Sequence, residues 1–396
     1  MSRQILACAA IATMGLGIPS TLSPAKIARI DQTADALLAT VFEEIVRGQH
    51  DAALQNIDGL IRVAPNFRLA YLIKGDLLLA RARPIDTIGA APNASDAHIE
   101  GLRAEAFARL RAYRERPPAD RVPRYLLQLR DEQKYAVVVD THRSRLYLYE
   151  NDRGTPRFVS DYYVSSGKNG PLKVREGDEK TPIGVYHVIA SLPRQKLSDF
   201  YGSGAFPIDY PNAWDRIQGR NGHGIWLHGT PPNTYSRPPR SSNGCVVLAN
   251  SDLEEVARKL QVGITPVIIT EDVKWFSLDD RASERDTLER ELDQWRADWE
   301  SLDTDRYLAH YSKSFSAQSE DLDSWGKRKR LVNGGKSWIK VKLSNLSMFE
   351  DPSRDGLVSV SFDQEYRSSN LSNTVRKRQY WLREADGWRI VYEGAA

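Results

Sequence analysis

Gly222-His223-Gly224-Ile225-Trp226-Leu227-His228-Gly229-Thr230, followed by Ser241-Ser242-Asn243-Gly244-Cys245-Val246-Val247-Leu248, is the stretch from which the rest of the chain is read. A cysteine attacks as thiolate, so it needs an imidazole to take its proton. His228 lies 17 residues before Cys245, at the end of an apolar strand and beside a glycine. Gly244, directly before the thiol, permits a tight turn in which backbone N–H groups face a developing oxyanion. Two other readings compete. His223, His228 and Cys245 could ligate a metal, but histidines five apart on an extended strand point to opposite faces and a tetrahedral site needs further convergent ligands. Cys245 could also be an inert buried thiol. No metal and no cofactor are expected, because thiolate, imidazole and backbone donors suffice for acyl transfer.

Working outward, Tyr135 to Asp140, Arg145 to Tyr149, Phe158 to Val164, Val185 to Ala190, Gly224 to Leu227 and Val267 to Thr270 are short, β-branched or aromatic, and punctuated by Gly, Pro, Asn and Asp. They predict a mostly β domain over 133–272. Ser251 to Leu260 is its clear helix, with Ser251 and Glu254 placed as a capping box. This segment resembles the L,D-transpeptidase catalytic domain of the YkuD type. The resemblance rests on His228-Gly229, on Ser242-Asn243-Gly244-Cys245, and upstream on Ser165-Ser166-Gly167-Lys168 and Thr181-Pro182-Ile183-Gly184-Val185-Tyr186.

The resemblance implies that Cys245 attacks a peptidoglycan stem tetrapeptide between the L-centre of its third residue and the terminal D-alanine. His228 would act as base and then acid, its ring fixed by the carbonyl of Gly229. The N–H groups of Cys245 and Gly244 would hold the oxyanion, and Ser242, Asn243, Thr230 and His223 would line the substrate cleft. Two positions depart from the family pattern. Asn243 stands where His is common, and Val247 where an Arg is common. The Gly-Cys-Val-Val-Leu run resembles a divergent branch that includes the enzyme detaching Braun lipoprotein from peptidoglycan. The acceptor is therefore open among another stem peptide, a lipoprotein lysine and water. A catalytically vestigial scaffold recruiting wall-synthesis proteins is the reading from another class.

The flanks differ in period. From Ile30 to about Arg130 apolar residues recur at helical spacing, predicting a helical domain over 29–130. Within it Asp51 to Ala80 resembles one tetratricopeptide-type hairpin, turning at Pro65-Asn66 and placing Ala53, Ala70 and Gly75 where the helices approach. One unit builds no groove, so a helical cap on the next domain is the plainer reading. Beyond Trp275, Leu288, Leu292, Trp295, Trp299 and Leu302 form one apolar stripe on a long helix, and strands follow. This order over 280–396 resembles an NTF2-like cone of the Cds6 type. Six of the nine tryptophans lie after Arg281, as core or as a pocket lining, with core favoured.

Composition sets the class. The 396 residues allow two to three domains at roughly 150 residues each, and 41% hydrophobic with 27% charged is the balance of a folded globular chain. Lys plus Arg at 55 against Asp plus Glu at 52 leaves +3, too little to attract nucleic acid by charge. The basic runs Lys327 to Arg330 and Arg376 to Arg378 read as solvated surface. Residues 1–25 carry Arg3, an apolar stretch from Ile5 to Ile18, then Pro19 and small residues, the layout of a cleaved signal peptide. The expected protein is exported to the periplasm, without a transmembrane anchor after cleavage, and acts on peptidoglycan stem peptides. The polar Gly170 to Lys180 stretch is the expected flexible edge of the cleft.

Overall fold

A computed structural model describes residues 34–85, 87–90, 96–317 and 320–396. The expected signal peptide lies outside the described residues. The chain enters through helices α1 (Ala34–Val46), α2 (His50–Val63), α3 (Arg68–Ala80) and α4 (Asp96–Arg114). In the α2/α3 hairpin Ala53, Leu54, Ile57 and Leu60 pack with Leu69, Ala70, Ile73 and Leu77. Gly75 departs from expectation: it faces solvent, and a Cβ there would meet nothing within 4 Å. Close approach is left to Ala53 and Ala70.

Helical structure also ends earlier than the apolar spacing suggested. Residues 121–128 form two strands, β1 (Arg121–Pro123) and β2 (Leu126–Gln128). Leu126 and Leu127 are both buried but enter different clusters, as the two-residue alternation of a strand directs.

The middle domain comprises β3 (Tyr135–Asp140), β4 (Arg145–Asp152), β5 (Thr155–Tyr163), β6 (Ser166–Gly167), β7 (Gly184–His187), β8 (Leu192–Pro193), β9 (Gly204–Pro207), β10 (Trp226–His228), β11 (Arg240–Ser242), β12 (Val246–Val247) and β13 (Pro266–Thr270). Two helices, α5 (Ala213–Ile217) and α6 (Asn250–Ala257), interrupt them. A five-stranded sheet runs β5-β4-β3-β13-β7 and a four-stranded sheet β12-β10-β9-β8. Val137, Val139, Leu146 and Leu148 meet Leu227, Val246 and Phe206 in one core. Ala136, Val138, Tyr147 and Tyr149 pack on the opposite side with Tyr125, Leu126 and Phe349. Burial on both faces is why Tyr135 to Asp140 reads as an unbroken apolar run. The capping box expected at Ser251 is absent. The helix starts at Asn250 with Ala249 at its N-cap, and the Ser251 hydroxyl donates to Asp252 Oδ1 at 3.3 Å.

Strand β14 (Trp275–Ser277) pairs antiparallel with β1, so the middle domain is entered and left side by side. Ser277 caps α7 (Leu278–Glu300), accepting from the Asp280 N–H at 3.0 Å in a capping box. After α7 come α8 (Thr304–Leu308), β15 (Tyr311–Ala317), β16 (Glu320–Asp321), α9 (Leu322–Gly334), β17 (Ile339–Glu350), β18 (Leu357–Ser368), β19 (Leu371–Glu384) and β20 (Gly387–Ala395). The curved sheet runs β16-β15-β20-β19-β18-β17-β2, its last strand supplied by the segment before the middle domain. Trp295, Trp299, Trp325, Trp381 and Trp388 are core, and Trp338 alone of these six late tryptophans is exposed. Within the basic runs Arg328 pairs with Glu320, Arg330 with Asp305 and Arg376 with Asp363. Lys329 turns inward, its Nζ 4.5 Å from the Trp325 ring centroid.

Candidate active site

Strands β10 and β12 pair parallel, with Leu227 opposite Val246 and His228 opposite Val247. This register brings Cys245, one residue before β12, beside Trp226. The thiol donates to the Gly224 carbonyl at 3.3 Å. His228 is 1% exposed, its ring 5.7 Å from that of Phe200 and 5.1 Å from that of Tyr201. Its Nδ1 lies 2.7 Å from the Gly229 carbonyl oxygen. A carbonyl only accepts, so Nδ1 carries the proton and Nε2 keeps its lone pair. Thiol and imidazole are not hydrogen-bonded to each other among the described residues. Any proton transfer between them would require the thiol to leave the Gly224 carbonyl.

The turn before the thiol is built from interlocking bonds. Gly244 has φ +119°, and a Cβ there would come within 2.7 Å of the Lys180 carbonyl oxygen. Thr181 Oγ1 donates to the Gly244 carbonyl at 3.0 Å. Ser242 Oγ accepts the Gly244 N–H at 3.1 Å and donates to the Cys245 carbonyl at 2.6 Å. Two expectations change here. The Gly244 N–H is engaged by Ser242, which leaves the N–H of Cys245 as the one of the two expected oxyanion donors not taken up by Ser242. Ser242 is buried and braces the turn instead of opening to a substrate.

Thr230 is likewise buried and donates to the Tyr235 carbonyl at 3.2 Å. Asn243 is exposed at the tip of the turn. His223 is exposed and lies 3.2 Å from Glu176 through Nε2. Gly229 is required sterically, since a Cβ would collide with Asn250 Oδ1. Sequence reasoning missed Asn250. Its Oδ1 accepts the Ser203 N–H at 2.9 Å and its Nδ2 donates to the Thr230 carbonyl at 2.8 Å, clipping the Phe200–Tyr201 turn to the histidine strand. One asparagine at the start of a helix gives no pattern by which this could be found.

Burial holds the His228 imidazole down at about 4, against a smaller opposing effect of its bond to Gly229. Burial pushes the Cys245 thiol up to about 11, only partly offset by a backbone bond from Trp226 and the charges of Arg237 and Lys173. The resting pair is a neutral thiol with a neutral imidazole, not a thiolate with an imidazolium. Alkylation of Cys245 by iodoacetamide is therefore expected to be slow at neutral pH and to rise about tenfold per pH unit toward 11, following the thiolate fraction. A rate that levels off by pH 7 would show a preformed ion pair. If the neutral imidazole serves as base, peptide cleavage should hold across neutral pH and fall as pH drops through about 4.

The Gly170 to Lys180 stretch is more tied down than expected. Asp178 accepts from the N–H groups of Val174, Arg175 and Lys180 and from Lys173 Nζ at 2.7–3.2 Å. No three His, Cys, Asp or Glu side chains converge as metal ligands among the described residues. No helix of the described residues is long and apolar enough to cross a membrane.

Residues 134–269 match the model of the L,D-transpeptidase catalytic domain, YkuD. The middle domain is an L,D-transpeptidase-family domain. Residues 287–394 match the Cds6 C-terminal NTF2-like domain. Among solved structures, Bd1075 from Bdellovibrio bacteriovorus is similar, with 29% identity and a TM-score of 0.62 over 70% of this chain and 98% of that one. The helical cell shape determining protein Pgp2 from Campylobacter jejuni is similar at 26% identity and a TM-score of 0.59, over 67% of this chain and 93% of that one. No curated protein matches in sequence. The L,D-transpeptidase-family domain thus carries an NTF2-like partner whose sheet takes β2 as its last strand.

Proposed function

We propose that the chain is an exported, periplasmic L,D-transpeptidase acting on peptidoglycan stem tetrapeptides. Cys245 Sγ attacks the carbonyl of the third residue, usually diaminopimelate, and His228 Nε2 takes the thiol proton. The same nitrogen gives that proton to the amine of D-alanine as the C–N bond breaks, leaving a thioester on Cys245. An acceptor amine then attacks the thioester, passes a proton to His228, and the thiol is restored. The observation that carries this reading is the fixed tautomer of His228, whose Nδ1 is held at 2.7 Å by the carbonyl of Gly229, directly after the strand that pairs with β12. No cofactor enters any step.

A second reading sends the acyl group to water, giving a hydrolase that trims stem peptides or detaches a linked lipoprotein. It is favoured by Val247, which is 2% exposed and offers no cation at the place where the family carries an arginine. The likeness to a cell shape determining protein suits either reading, since both alter how the wall is linked. A disaccharide-tetrapeptide incubated with and without a second stem peptide separates them. Cross-linked dimer is the expected product, and tripeptide alone, unaffected by added amine, would overturn transfer in favour of hydrolysis. No product of either kind, together with full cellular function of Cys245→Ala, would leave the scaffold.

A further inference from the structure

The loop between Thr230 and Arg240 brings one cation to the thiol. Arg237 lies with its guanidinium 4.7 Å above the Phe200 ring centroid, and that ring lies 5.7 Å from the His228 ring. Its charge is felt by both Cys245 and His228. No carboxylate accepts from this guanidinium among the described residues, whereas the more buried Arg145 and Arg220 of the same domain pair with Asp161 and Asp215. A half-buried arginine without a counter-ion, stacked on an aromatic ring that packs against His228, is poised for an anion supplied from outside.

The loop that carries it is held from two sides. The helical domain grips it through the Asn66 carbonyl, which accepts the Tyr235 N–H at 3.2 Å, and through Glu105, which accepts from Ser236 Oγ at 2.5 Å. From the middle domain Tyr163 donates its hydroxyl to the Arg237 carbonyl at 2.8 Å. The backbone of Arg237 is thereby fixed before any ligand arrives, which lowers the entropy cost of using its side chain.

We propose that Arg237 binds the α-carboxylate of the terminal D-amino acid of the donor peptide, a specificity-determining role that rests on the acyl-transfer reading above. Geometry selects this carboxylate among those a stem peptide bears. It lies one residue beyond the scissile carbonyl, about 4 Å away along the chain, on the side of the bond whose amine His228 must protonate. A donor whose last residue is extended or amidated would leave the guanidinium desolvated and unpaired, so the site would select free tetrapeptide ends over longer or internally linked stems.

The test is a substrate-by-mutation cycle. Wild-type chain should cleave the tetrapeptide on the order of a hundredfold faster, in kcat/KM, than the same peptide with a C-terminal carboxamide. Arg237→Gln should reduce that ratio to near unity, and Arg237→Lys should retain part of it. A ratio unchanged by Arg237→Gln, in protein of unaltered Tm, would overturn the assignment. Calorimetric binding of both peptides to Cys245→Ala separates recognition from chemistry. Preference for the free carboxylate that vanishes in the double variant supports the role of Arg237 even if no thioester forms. Equal binding of the two peptides removes this assignment alone, and binding of neither removes the stem-peptide reading with it.

Discussion

Cys245→Ala is expected to abolish release of D-alanine from a stem tetrapeptide, a loss on the order of 10⁴ or more, because Cys245 carries the only thiol among the described residues. His228→Gln should cost about a thousandfold. Glutamine fills the space between Phe200 and Tyr201 but cannot take the proton of a thiol whose pKa burial has raised to about 11. The two losses should not add, since thiol and base act as a unit. The check is D-alanine release followed with time for each single variant and for the double variant. Rates in Cys245→Ala within tenfold of wild type would move the chemistry away from this thiol.

Arg109→Met is expected to give the largest loss of stability. Arg109 is 3% exposed, donates to Glu105 at 2.9 Å, pairs with Asp35 and lies 4.0 Å from the Tyr163 ring centroid. Asp35 also accepts from Arg145 Nη1 at 2.7 Å, so the cluster joins α1 and α4 to β4. Burial alone would raise the Asp35 carboxyl, but Arg109 and Arg145 overcome it and hold it at about 2. Removing the shared cation leaves Glu105 buried with no ion-pair partner, a change that costs about 3–5 kcal/mol in comparable settings. Denaturant unfolding should report that loss, and earlier proteolysis should appear between α4 and β3. A loss below about 1 kcal/mol would mean that packing, not this cluster, joins the domains. The Asp35 contribution is full above its unfolded value near 4 and is lost as pH falls toward 2.

Much of this was legible from residue order alone. The Cys245 and His228 pair sits within short apolar strands, and strand patterning survives tertiary context where both faces are buried, as in Tyr135 to Asp140. The stripe from Leu288 to Trp299 was equally clear, because a 3.6-residue period held over about three turns has no competing reading. What stayed hidden depends on contacts between distant segments. Leu126 and Leu127 read as helix until β17 is present to pair with β2. Ser251 with Glu254 is a sound capping signal, but Asn250 is held by Ser203 and Thr230, which starts the helix one residue early. Arg237 is one basic residue among 55, in a proline-rich loop, and only the folded loop shows what it faces.

The central claim is that Cys245 forms a thioester with the donor peptide. Intact-protein and peptide mass spectrometry of the mature chain with disaccharide-tetrapeptide, quenched early at acid pH, tests it directly. The account predicts an added mass equal to the donor minus D-alanine, located on Cys245, with one D-alanine released per adduct. Release of D-alanine at full rate from Cys245→Ala, or an adduct on any other residue, would contradict it.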